Sequence, residues 1–230
     1  ASQSRYLEAF YNRGMAYQAL QELELARIDY EMAYSISPFH IGVLTNLGNV
    51  LQLQKNYEQS LEFYGKVIAY SPNTPEPFNN RGNLFHELQK YSQALSDFDV
   101  AISINPQYAE AYSNRGNTLQ ILGQYDSALS DYNQAIFLNE KFTQARQNRA
   151  NLLCEIGLYE DAIVDLENII STNSKFPYIR GIYLATKMRV CNWENFSTEL
   201  AGIEASIAKL EKVSQPFWVL PITDSIILQK

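Results

Sequence analysis

Shifted by 34 residues, the chain falls onto itself: Phe10, Leu44, Phe78 and Tyr112 share one column, and Gly14, Gly48, Gly82 and Gly116 share another. Small residues follow at Ala26, Ser60, Ala94, Ala128 and Ala162, then large ones at Tyr30, Tyr64, Phe98, Tyr132 and Leu166, then Pro38, Pro72 and Pro106. A fixed period of this length marks an array in which one small unit, unable to bury its apolar face alone, is stacked on copies of itself. Within each period apolar residues recur three and four apart, as at Leu119, Leu122, Leu129, Tyr132 and Ile136, which indicates amphipathic helices rather than strands. The pattern predicts first helices near 8–20, 41–54, 75–88, 109–122 and 143–156, and second helices near 24–37, 58–70, 92–104, 126–138 and 160–172. Each proline disfavours helix at the residue before it, here Ser37, Ser71 and Asn105, and so ends the second helix.

The small columns belong where the two helices of a pair cross, since only small side chains let the axes approach. The aromatic columns are expected to fill the groove between one pair and the next. This order of large residue, Gly, aromatic, small residue, aromatic and closing Pro resembles the tetratricopeptide repeat. The resemblance implies an all-α fold, an α-solenoid of antiparallel helix hairpins that binds polypeptides. Five full repeats cover residues 7–174 (7–40, 41–74, 75–108, 109–142 and 143–176 by period). Residues 1–6 precede them as in a chain cut from a longer one, 175–213 form a degenerate sixth, capping unit, and 214–230 are a connector toward a further C-terminal region.

Two columns exceed what packing demands. The sixth position of every full repeat is asparagine, at Asn12, Asn46, Asn80, Asn114 and Asn148. Asparagine is a mediocre helix former, so a mid-helix row of it needs a compensating partner. On the inner, concave surface of a solenoid such a row would pair with the main chain of an extended peptide, because an amide both donates and accepts. The alternative is that these amides bond neighbouring helices or water. Asn49, Asn83, Asn117 and Asn151, three residues further on, share that helix face, either as a second row of contacts or as a solvated face. At the seventh position Arg13, Arg81, Arg115 and Arg149 alternate with Leu47, and sixteen residues later Asp29, Asp97, Asp131 and Asp165 alternate with Phe63 in the same repeats. The matched exchange indicates structural ion pairs between the helices of one hairpin.

A net charge of -7 argues against nucleic acid and anionic membranes as partners, because both bind through Lys and Arg. No apolar run is long enough to span a bilayer. Cys154 and Cys191 lack a disulfide framework and read as buried free thiols of a reducing, cytoplasmic compartment. No phosphate loop, metal-ligand spacing or nucleophile–base set occurs, so no catalytic residue, metal or cofactor is assigned to this chain. His40 and His86 read as surface residues, with His86, in the groove-facing part of a first helix, a candidate ligand contact. Glu8, Glu76 and Glu110 stand where tetratricopeptide modules for acidic chaperone tails carry a basic clamp, so a neutral or basic peptide fits better than an acidic one.

After Ser174 the period survives in Arg180, Tyr183, Leu184, Phe196, Leu200 and Ile203, but Ile182 ends the asparagine row. Trp193, Phe196, Phe217 and Trp218 supply apolar area to cap the last hairpin, residues 214–221 read as extended, and Thr223 or Asp224 as the cap of a final helix. Lys187, Met188, Cys191, Asn192, Trp193, Pro216, Phe217, Asp224 and Ser225 also resemble the segment joining repeats to the catalytic region in bacterial Spindly-type O-GlcNAc transferase-like proteins. That resemblance implies a nucleotide-sugar-binding glycosyltransferase region beyond Lys230, with this chain as its substrate- or partner-recruiting arm. Two other readings are a freestanding scaffold for protein assembly and, weakened by the missing clamp, a chaperone adaptor.

Overall fold

The computed structural model describes residues 2–172 and 178–208, which form twelve helices and no strand. Five hairpins pair α1 (Ser2–Ala19) with α2 (Leu23–Ile36), α3 (Ile41–Leu53) with α4 (Tyr57–Tyr70), α5 (Pro75–Glu87) with α6 (Tyr91–Ile104), α7 (Ala109–Ile121) with α8 (Tyr125–Leu138), and α9 (Thr143–Glu155) with α10 (Tyr159–Thr172). A sixth pair, α11 (Ile179–Arg189) and α12 (Phe196–Ala208), follows. The main departure from the periodic pattern is α1, which begins six residues earlier than expected. The chain divides inside α7 into two compact units, residues 1–118 and 119–230.

In the first unit α2 packs on α3 and α4 on α5, while α1, α3 and α5 also touch in series. In the second unit α8 packs on α9, α9 on α10, α10 on α11 and α11 on α12. Second helices stop at Ser37, Ser71 and Asn105, each the residue before proline. α8 stops in the same register without proline. Its cap Asn139 accepts from the Lys141 amide at 3.1 Å, as Asn105 accepts from Gln107 at 3.0 Å. Between the helices of a hairpin the turn takes one left-handed residue, Gln21, Lys55, Gln89, Gly123 or Gly157. Glycine adopts that conformation without the Cβ penalty the other three carry.

The column aromatics seat first on the glycine of their own hairpin. A Cβ at Gly14 would stand 2.7 Å from the Tyr30 ring, one at Gly48 2.6 Å from Tyr64, and one at Gly82 2.7 Å from Phe98. Tyr30 then continues into a cluster with Val43, Leu47 and Val50 of the next hairpin, so it serves both the hairpin and the joint. The ion pairs join the two helices of a hairpin beside that seam, with the Arg13 guanidinium over the Phe10 ring that packs on the same cluster. Arg13 donates to both oxygens of Asp29 at 2.6 and 2.7 Å, Arg81 to Asp97 at 2.7 and 2.7 Å, and Arg149 to Asp165 at 2.7 and 2.6 Å. Asp131 is buried in the second unit and Arg115 lies in the first. In repeat 2 Phe63 packs on the cluster that contains Leu47, under the Lys66 ammonium.

The arginines also reach backward between repeats, which the intra-hairpin reading did not include. Arg115 donates to Asp99 at 2.6 Å and Arg149 to Asn133 at 2.5 Å, and Tyr183 uses the same geometry on Glu167 at 3.0 Å. Asp97 keeps only 7% of its side chain exposed, so removing its partner strands a carboxylate in low dielectric. Arg81→Leu should therefore cost about 3 kcal/mol in urea unfolding. Adding Asp97→Phe, which transplants the Leu47/Phe63 solution, should return stability to within about 1 kcal/mol of the parent. A double variant no better than the single one would contradict the exchange.

Candidate functional site

The first helices carry the polar columns, and the structure sorts them. In α1 Asn12 is exposed. Asn46 of α3 donates to the Tyr30 hydroxyl at 3.2 Å, and that hydroxyl donates to Gln18 at 2.9 Å. Burial raises the Tyr30 phenol to about 12, so it stays a donor at neutral pH. Asn114 of α7 donates to Asn79 at 2.9 Å, joining two first helices. Asn79 is itself buried beside Tyr108, whose phenol is pushed up to about 12 by burial and by Glu76 and Glu110. In α9 Asn148 accepts from Gln144 at 2.9 Å. Asn80 is half-buried in α5 and, among the described residues, bonds to no side chain. The sixth-position column is thus mixed: Asn46 and Asn114 tie helices together, while Asn12 and Asn80 keep free amides.

The second row divides likewise. Asn49 accepts from the Tyr64 hydroxyl at 2.8 Å, and Asn117 is engaged. Asn83 is half-buried, and Asn151 is exposed at the edge of a pocket of about 450 Å³ between α9 and α11. The acidic residues Glu8, Glu76 and Glu110 are all exposed on the same first helices.

A further column went unread in the sequence. Tyr30 and Tyr132 donate to Gln18 and Gln120, twelve residues earlier, both at 2.9 Å, and Tyr64 shares its one proton between Asn49 and Gln52, the latter at 3.1 Å. Where the aromatic loses its hydroxyl, at Phe98 and Leu166, the glutamine also goes, to His86 and Cys154. That matched exchange was available in the sequence and shows the glutamines to be structural.

Several expectations need correction. His86 is not on the surface: its ring is half-buried against Tyr91, and its pKa is lowered by burial. Thr118 gives its proton to the Asn114 carbonyl at 3.1 Å, so His86 Nδ1–H donates to Thr118 at 2.9 Å. His40 is half-buried at the N-terminus of α3, where its Nδ1 accepts from the Val43 amide at 3.2 Å. Cys154 is half-buried, and Cys191 is exposed in the turn after α11, so neither is a buried thiol. Trp193 is 55% exposed and stacks edge-on against Phe196 rather than filling a core. A buried Lys187 donates to the Glu194 carbonyl at 2.6 Å and orders that turn. Pro216, Phe217, Trp218, Thr223, Asp224 and Ser225, with the extended 214–221 segment, lie outside the described residues.

Among the described residues no helix is long and apolar enough to cross a membrane, and no group of three His, Cys, Asp or Glu could hold a metal ion. Tetratricopeptide repeat models match residues 7–40 and 109–142, and a related repeat model matches 48–89 and 82–121. No curated protein sequence matches the chain. Among solved structures, PilF of Pseudomonas aeruginosa is 16% identical, with 89% of this chain and 93% of that one covered and a TM-score of 0.76. A thermophilic tetratricopeptide repeat protein of Thermus thermophilus is 21% identical over 79% and 99%, with a TM-score of 0.70. YrrB, described as a TPR protein with an unusual peptide-binding site, is 19% identical over 76% and 93%, with a TM-score of 0.55. At these identities the likeness shows the fold.

Replacing a mid-helix asparagine by alanine gains about 0.6 kcal/mol of helix propensity, and losing a bond costs about 1 kcal/mol, more when a buried partner is stranded. Asn12→Ala and Asn80→Ala should therefore hold or slightly raise stability in urea unfolding, and Asn46→Ala and Asn114→Ala should lower it. Equal effects at all four sites would show that the column is not divided.

Proposed function

Because this chain belongs to the tetratricopeptide repeat proteins, we propose that it is a binding module for other polypeptides, holding an extended segment by its main chain along the asparagines of its first helices. The observation that carries this reading is the pair of free amides at Asn12 and Asn80, on helices that touch in series through α3. A free amide in a helix gives up propensity without internal return, and it offers both a donor and an acceptor to a peptide bond. Exposed Glu8, Glu76 and Glu110 favour a neutral or basic peptide in that region. The peptide-binding site named for YrrB supports the same use of the fold. The unpaired thiols Cys154 and Cys191 fit a reducing compartment such as the cytoplasm.

The finer reading makes this module the recruiting arm of a protein glycosyltransferase. It rests on the resemblance of Lys187, Met188, Cys191, Asn192 and Trp193, with Pro216, Phe217, Asp224 and Ser225, to the connector of Spindly-type O-GlcNAc transferase-like proteins. The nucleotide sugar would bind in the region after that connector. The gene beyond Lys230 separates this reading from a freestanding scaffold. A continuing frame with a nucleotide-sugar-binding region supports the arm, and an early stop leaves the scaffold.

The binding reading is tested by selecting extended peptides from a random displayed library on the immobilised chain. Retained sequences should be neutral or basic, and Asn12→Ala with Asn80→Ala should weaken them by about 1–3 kcal/mol, one bond per amide. Unchanged affinity in that double variant, or enrichment of acidic sequences whose binding depends on Asn12 and Asn80, would overturn it.

A further inference from the structure

A carboxylate is clamped in the same way at two places, two repeats apart. Gln52 and the Tyr57 hydroxyl donate to Glu87 at 3.0 and 2.6 Å. Gln120 and the Tyr125 hydroxyl donate to Glu155 at 2.7 and 2.8 Å. In each case an amide and a phenol from one repeat hold a glutamate at the end of the next first helix. One repeat beyond the second clamp, the same register falls on Cys154, Tyr159 and Arg189. The phenol is retained, the amide has become a thiol, and the internal carboxylate has become a guanidinium.

The pocket of about 450 Å³ opens at this point, lined by Asn151, Cys154, Glu155, Tyr159, Thr186 and Arg189 among others. That volume lies in the range of small-ligand sites. Cys154 Sγ lies 3.5 Å from Thr186 Oγ1, whose proton goes to the Ile182 carbonyl at 2.8 Å, so the thiol does not replace the glutamine's reach. Arg189 is exposed, and among the described residues no carboxylate lies within ion-pair distance of it. The oxygens of Glu155 are already taken by Gln120 and Tyr125.

We propose that this pocket receives a carboxylate from outside the chain, held by the Arg189 guanidinium and the Tyr159 hydroxyl as Tyr57 and Tyr125 hold the internal glutamates. Arginine's forked donors match a carboxylate in the plane, which a single phenol cannot do. Glu155 limits the site to one negative charge, because a second carboxylate would meet it without a cation to spare. The inference rests on the peptide-binding reading in one respect: the carboxylate belongs to a bound polypeptide, as an acidic side chain or as its C-terminus.

The test is a titration of the whole ¹⁵N-labelled chain with three short blocked peptides, followed by backbone amide shifts. The probes are acetyl-triglycine with a free C-terminus, an acetylated, amidated glycyl peptide with one glutamate, and its glutamine analogue. The carboxylate probes should give saturable shifts at Asn151, Thr186 and Arg189, at least tenfold tighter than the glutamine peptide, and the tighter of the two identifies the source. Arg189→Gln should weaken them at least tenfold and Tyr159→Phe several-fold, with Tm unchanged. Cys154→Gln combined with Arg189→Glu should rebuild the internal trio and abolish binding, with Tm held or raised. Equal shifts with the glutamine peptide, unchanged binding in Arg189→Gln, or no saturable shift with either carboxylate would overturn the proposal. These probes are too short to span the asparagine row, so failure of main-chain binding there leaves their shifts intact and is read separately.

Discussion

The first three hairpins each depend on one close approach, the seat of a second-helix aromatic on the bare backbone of its own first helix. Tyr30 on Gly14, Tyr64 on Gly48 and Phe98 on Gly82 leave no room for a methyl group. The missing side chain brings the two helices close, near enough for the Ser60 hydroxyl to donate to the Gly48 carbonyl at 2.7 Å. The ring's far edge then stands at the joint to the next hairpin. Dispersion and apolar burial supply the energy there, and the glycine supplies the geometry.

The polar chemistry is layered on that seat. Where the ring is tyrosine, its hydroxyl must be satisfied in the joint, and Gln18, Gln52 and Gln120 do so. Bidentate Arg13, Arg81 and Arg149 close the two helices of their hairpins, and Arg115 and Arg149 lean back onto the preceding repeat. These bonds stabilise less than the burial but fix the register of each hairpin on its neighbour. Beside them stands a short set of groups with no internal duty: the amides of Asn12 and Asn80, and the guanidinium of Arg189.

Most of the architecture was legible because period and spacing are properties of the chain alone. The helices α2 to α10 fall within a residue or so of the pattern, and the Arg–Asp exchange implied its own geometry. The asparagine column was legible only as a constraint. Repetition says that a position is constrained, but it does not distinguish an amide bonded to Tyr30 or Asn79 from one open to a ligand. That distinction depends on which neighbour stands opposite, and the neighbour changes from repeat to repeat. Cys191 and Trp193 lie outside the packed face for a related reason. The turn after α11 leaves the helix at Cys191, whose left-handed backbone turns Cys191 and Trp193 out of the packed face that helical spacing implied.

The central claim is that the repeated asparagines separate into structural and binding amides. The side-chain amide spectrum of the ¹⁵N-labelled chain, recorded with and without a library-selected extended peptide, tests it directly. The NH2 resonances of Asn12 and Asn80 should exchange quickly with water in the free chain and shift on binding, while those of Asn46 and Asn114 stay protected and unmoved. Protection of Asn12 and Asn80 in the free chain, or shifts confined to Asn46 and Asn114, would contradict the account.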